Sequence, residues 1–164
     1  QALALVIDRA AIIRAVFKGY AALATGPVPP VIDGYEPIAD ELRASNPRER
    51  ARQLLDEAGW FISPEDGVRR KKINKDAVAL EFNLITPDIP FLDAAAKSIK
   101  NDFNAIGVKA NLILTAIDDV NKDALKTRNY HMIIFGNILK NNPDIFAFWH
   151  SSQKFYPGLN LALY

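Results

Sequence analysis

The chain has no cysteine, which excludes a disulfide framework and any thiolate metal site and leaves the redox compartment open. Its two histidines, His131 and His150, stand far apart with no carboxylate at metal-ligand spacing, so a zinc or iron centre is not expected. Glycine is sparse and scattered: Gly26, Gly34, Gly59 and Gly67 each stand alone, and neither kind of phosphate-cradling loop can be written from them. Ser151-Ser152 lacks the flanking glycines that give a nucleophile its sharp strand-to-helix turn. No apolar run is long enough to span a bilayer, and no leader pattern opens the chain. Net charge is almost absent too. With 20 Lys and Arg against 19 Asp and Glu the balance is +1, so no overall field marks the chain for nucleic acid or membrane phosphates. The one concentration of charge, Arg69-Arg70-Lys71-Lys72, reads as a solvated hairpin or loop. Glu65-Asp66 and Asp118-Asp119 read as solvated or helix-capping carboxylates, with Asp118 the expected cap of the helix that follows it. No nucleophile, acid-base pair or metal set can be named, so neither an enzyme nor a cofactor is expected.

What is present is an alternation of periods. With 49% hydrophobic residues in 164, the chain is long enough for one core, and a single domain over 1–164 is expected. Val78 to Ile85 alternates as a half-buried strand and stops at Thr86-Pro87-Asp88. From Phe91 the apolar residues fall three and four apart, at Leu92, Ala95, Ala96, Ile99, Phe103 and Ile106, which is one face of a helix closed by Gly107. Val108 to Thr115 is a second strand, Ile117 to Thr127 a shorter helix, and Tyr130 to Phe135 a third strand. Strand, helix, strand, helix, strand predicts two parallel crossovers and a small, mainly parallel α/β sheet flanked by helices.

The flanks are read more briefly. Gln1 to Ile7 and, after Asp8 as cap, the stripe Ile12, Ile13, Val16 and Phe17 give two short helices or one kinked one, ended by Gly19. Ala24 to Pro37 is turn-rich. Asn46-Pro47 starts a helix in which Glu49 is placed for a capping box and Gly59 closes the end. Trp60-Phe61-Ile62 reads as apolar cover for a sheet edge, and Asp66-Gly67 as a tight turn leading into a ribbon. Ile145 to Trp149 is expected to make a helical turn, and Leu159 to Tyr164 a strand. Because apolar patterns begin and end abruptly at the termini, the chain is expected to be a segment of a longer protein.

In an open parallel sheet, ligands sit beyond the carboxyl ends of the strands. That places candidate ligand-binding residues on three loops: Thr86 and Asp88 after the first strand, Asp118 after the second, and Asn137, Ile138, Lys140, Asn141, Asn142 and Asp144 after the third. On this argument alone the same loops serve equally well as plain surface turns.

Several stretches, taken in order, resemble the bacterial extracellular solute-binding proteins of family 5, the oligopeptide-, dipeptide- and nickel-binding receptors of ABC importers. They are Ala2 to Arg9, Gly19-Tyr20, Ala24 to Pro30, Ala51 to Trp60, Asp66 to Arg69, Ile106-Gly107-Val108, Tyr130 to Gly136, Trp149 to Ser152 and Gly158-Leu159-Asn160. The resemblance implies one lobe of a two-lobed type II periplasmic-binding-protein fold, whose partner lobe in the same chain completes an interlobe cleft. It also implies capture of a peptide or similar small polar solute, delivery to membrane permease subunits, and a periplasmic or cell-surface location. In that family the loop after the third strand commonly reads glycine, tryptophan, two variable residues and an aspartate that pairs with a peptide amino terminus. Here Gly136 matches, Asn137 replaces the tryptophan, and Lys140 falls at or beside the aspartate position. A lysine cannot pair with an ammonium group. Either Asp144 takes that role, or the solute presents an anionic or neutral group to Lys140 and the Asn141-Asn142 amides, or Lys140 points to solvent. The alternative to a transport receptor is a ligand-sensing α/β module of a receptor or regulatory protein.

Overall fold

A computed structural model describes residues 1–28, 35, 45–138 and 144–163. Two short helices, α1 (Ala2–Val6) and α2 (Arg9–Val16), are separated at Asp8, whose Oδ1 accepts the Ala11 amide at 2.8 Å. The third helix, α3 (Pro47–Glu57), has Asn46 at its N-cap and Pro47 in its first turn. The expected capping box is not made, because Glu49 turns instead toward Arg52 at 3.8 Å.

An antiparallel ribbon follows, ordered β1 (Phe61–Ile62), β2 (Arg69–Ile73), β3 (Asp76–Ala79). The turn between its first two strands is the one expected at Asp66-Gly67: Gly67 has φ +71°, and Asp66 Oδ1 accepts the Val68 amide. Arg70 donates to both Asp66 carboxylate oxygens, at 2.7 and 2.8 Å. These two contacts, Arg70 first and the Val68 amide second, lower the Asp66 pKa from 3.8 to about 2. Phe61 and Ile62 do not cover a sheet edge; they form the outer strand of the ribbon and are themselves exposed.

The second sheet carries the architecture. It is ordered β5 (Lys109–Thr115), β4 (Glu81–Pro87), β6 (Met132–Ile133), with β4 parallel to both neighbours. Helix α4 (Pro90–Asn104) connects β4 to β5 and presents Leu92, Ala95, Ala96 and Phe103 inward. Gly107 closes the turn beyond it at φ +79°. Between β5 and β6 the chain forms α5 (Ile117–Asp119) and then a π-helical turn (Val120–Leu125) that buries Val120 and Ala124. Ala116, not Asp118, occupies the N-cap position, and Asp118 lies within the first turn. After the third strand come α6 (Phe146–Trp149) and a 3-10 turn at Ser151–Gln153.

The core lies between α1, α3, α4 and this sheet: Val6, Ala51, Leu55, Leu80, Phe103, Ile106, Val108 and Ala110 form one buried cluster. Phe103 alone, 1% exposed, contributes about 2–3 kcal/mol by its removal from water.

Three expectations are corrected. The run 78–85 is not one strand but two, because Leu80 donates its amide to Arg69 O of the ribbon while its carbonyl accepts Lys109 N of β5. One residue thus hands the chain from the ribbon to the parallel sheet. The third strand has ladder pairing only at Met132–Ile133, although Ile134 N still reaches Ile85 O at 2.9 Å. The described part of 159–164 forms turns and no strand. The basic run lies in the ribbon with Arg70, Lys71 and Lys72 at least partly exposed, as a solvated hairpin requires, but Arg69 departs from that reading. Arg69 is 2% exposed and donates through Nε to Ile106 O at 2.7 Å, with a second nitrogen on Trp60 O and Asp56.

Candidate binding rim

Parallel pairing of β4 with both neighbours sends three chain segments out over one edge of the sheet. Pro87 stands opposite Thr115, and Phe135 lies two residues beyond the Ile85–Ile133 pair, so the three exits are nearly level. The Asp88 amide bonds Thr115 O at 2.9 Å and the Thr86 hydroxyl donates to Ile134 O at 3.1 Å, which holds the exits together at the rim.

The residues expected here are placed unequally. Thr86 is fully buried, so its hydroxyl serves the sheet and not the surface. Asp88, Asp118, Asn137 and Ile138 are exposed along the rim, Ile138 to 89%. Asp144 is exposed as well, and its Oδ1 accepts the Phe146 amide at 2.9 Å, just ahead of α6. Lys140, Asn141 and Asn142 lie outside the described residues. At the start of α4, half-exposed Phe91 packs on Phe17 with ring centroids 5.9 Å apart, bringing the end of α2 to the same edge.

Two hollows meet at Asn137. One, of about 230 Å³, is bounded by Ile133, Phe135, Phe148, Trp149, Leu159 and Leu161. The other, of about 280 Å³, shares Phe135, Asn137, Leu159 and Leu161 and reaches across to Asn121, Lys126 and Arg128 on the far wall. Among these, only Asn137 was expected from the loop positions. Ile133 and Phe135 belong to the expected third strand, and the others come from segments after it and from the π-helical turn with the residues just beyond it. Those of the tail are marked in the sequence by the apolar character of Ile145 to Trp149 and the run Gly158-Leu159-Asn160.

That tail is positioned by three polar side chains. Asn160, fully buried, donates to Trp149 O and His150 O, both at 3.2 Å. Arg128, at φ +58°, donates to the carbonyls of Leu125, Lys154 and Gly158, tying the π-helical turn to the loop at 154–158. Tyr130 donates its hydroxyl to Leu161 O at 2.6 Å, and burial raises its pKa above the ordinary value. Among the described residues no group of three or more histidines and carboxylates is arranged to hold a metal ion, and no helix is long and apolar enough to cross a membrane.

The architecture has known counterparts. Oligopeptide-binding protein AppA of Bacillus subtilis (strain 168) is 25% identical over 169 residues, spanning 100% of this chain and 30% of that protein. The solved structure of AppA in complex with a nonapeptide superposes at a TM-score of 0.81 with 24% identity, covering 100% of this chain and 32% of that one. HbpA2 from Haemophilus parasuis aligns at 0.73 with 27% identity, covering 100% and 30%. NikZ from Campylobacter jejuni, solved in complex with Ni(L-His), aligns at 0.74 with 21% identity, covering 100% and 32%. The chain thus spans about a third of the length of these relatives, and its parallel sheet flanked by helices matches one lobe of the periplasmic-binding-protein fold. Residues 1–156 match the family described as bacterial extracellular solute-binding proteins, family 5 Middle, and the chain belongs to that family.

Proposed function

We propose that the rim formed by the exits of β4, β5 and β6 is one wall of a solute cleft, in a receptor that delivers a peptide or similar small polar solute to an ABC importer. The observation that carries this reading is the common direction of the three strands. It gathers Asp88, Asp118 and Asn137 on one edge of the sheet, and all three are exposed there. A second lobe closing against that edge would trap solute by a hinge motion, and the liganded form would be presented to the permease outside the cytoplasmic membrane, in the periplasm or at the cell surface. The chain then acts as a single lobe over 1–164, and its rim binds without chemistry. Family membership supports the binding role, and the names of the relatives (oligopeptide-binding for one, a nickel-histidine complex for another) give the range of solutes.

Mass spectrometry of the complete protein, purified gently from its own host, tests this reading. A stoichiometric small solute released on denaturation is expected. Turnover of a peptide or ester panel by the same preparation would overturn it.

A further inference from the structure

The larger hollow at Asn137 has a composition that selects among solutes. Its floor is apolar, made by Leu125, Phe135, Leu159 and Leu161. Three polar side chains edge it with their hydrogen-bonding capacity unspent. Among the described residues the amides of Asn121 and Asn137 have no hydrogen-bond partner, and Lys126 has no carboxylate partner, its ammonium lying 5.4 Å from the centre of the Tyr156 ring. Arg128 completes the wall, but its guanidinium is committed to the carbonyls of Leu125, Lys154 and Gly158. Among the described residues no carboxylate lines the hollow: Asp118, Asp119 and Asp123 belong to the same helical segment and are not part of its lining. A cation placed here would meet a like charge and no counter-ion, whereas an anion would meet one free ammonium and two amide donors. At about 280 Å³ the space suits one side chain or a short carbon chain, less than a drug-sized ligand.

We propose that this hollow is a subsite of the solute cleft for an apolar group that carries a carboxylate, with Lys126 supplying the charge and Asn121 and Asn137 the neutral donors. The inference deepens the receptor reading and rests on it. Two sources of the same chemistry fit, a peptide ending in an apolar residue with a free carboxyl terminus and a short free carboxylic acid.

Isothermal titration of the complete protein decides, using three probes: a pentapeptide ending in phenylalanine as the free acid, the same peptide as its carboxyl-terminal amide, and hexanoate. The parent is expected to prefer the free acid over the amide by about tenfold, and to lose that preference at about 0.5 M salt, where an exposed ammonium is screened. Lys126→Met is expected to weaken acid binding about tenfold and leave amide binding unchanged, while Lys126→Arg retains the preference. Hexanoate binding that competes with the peptide assigns the site to the carboxylate on a carbon chain in general, and its failure to bind restricts it to peptides. Equal binding of acid and amide by the parent, or an equal loss of both in Lys126→Met, overturns the assignment. If none of the probes binds while a solute extracted from the purified protein stabilises it, the subsite is wrong and the receptor reading stands. If no solute of any kind stabilises the protein, the receptor reading itself fails.

Discussion

At the scale of single residues, Arg69 shows how far burial can depart from residue type. A side chain that is ordinarily solvated is held in the core because each of its nitrogens facing inward meets an acceptor supplied by the close of a helix or by its partner Asp56. Replacing it by methionine keeps much of the volume but strands the carbonyls of Ile106 and Trp60, and a loss of about 2–4 kcal/mol is expected in urea unfolding. Asp56→Asn is expected to cost under about 1 kcal/mol, since that carboxylate is half exposed and the carbonyl bonds survive. Equal losses in the two variants would show that the ion pair, not the carbonyl bonding, holds Arg69 in place. Asp66 offers a second test. Its folded pKa of about 2 lies below the ordinary 3.8, so its stabilising effect is fully present above about pH 4 and is lost as the pH falls toward 2. An NMR titration of its carboxyl carbon is expected to show the depressed midpoint in the parent and a return toward the ordinary value in Arg70→Gln.

Among the elements, the contact between the close of α4 and the ribbon leaves little room for change. Gly107 sits at φ +79°, and a methyl group there would come within 2.3 Å of Ile62 Cδ1 and 3.1 Å of Gly67 O. Gly107→Ala is expected to lower stability by about 1–3 kcal/mol, through left-handed backbone strain and a shift of the Ile62 side chain away from the new methyl group. A change under about 0.5 kcal/mol, measured by urea unfolding, would mean that the ribbon is free to move away. Helix α4, its glycine close and the two longer parallel strands were legible in sequence because each announces itself locally, by period and by punctuation at Pro87, Pro90 and Gly107. Arg69 was not legible. Its burial depends on the Ile106 carbonyl, 37 positions away, which no local pattern reports. Leu80 misled for a related reason: the alternation of apolar residues runs straight through the point where the strand changes sheets. The site divided in the same way. Asn137 is visible as the first polar residue after a strand, whereas Lys126 and Asn121 fall within the helix expected over Ile117 to Thr127 and carry no local mark; the tail at 154–161 packs beside them.

For the whole molecule, the account requires that the rim be half of a cleft. A ligand that binds only the closed, two-lobed form stabilises it by mass action, about 2.7 kcal/mol at a hundredfold excess over Kd, which corresponds to a rise of a few degrees in Tm. In the proposed receptor this segment would present one wall of that cleft. The most direct measurement is therefore a paired thermal melt, of the complete protein and of residues 1–164 expressed alone, with and without the solute recovered from the native preparation. The complete protein is expected to show a saturable rise in Tm and the isolated segment none. Equal, saturable stabilisation of the isolated segment would contradict the account.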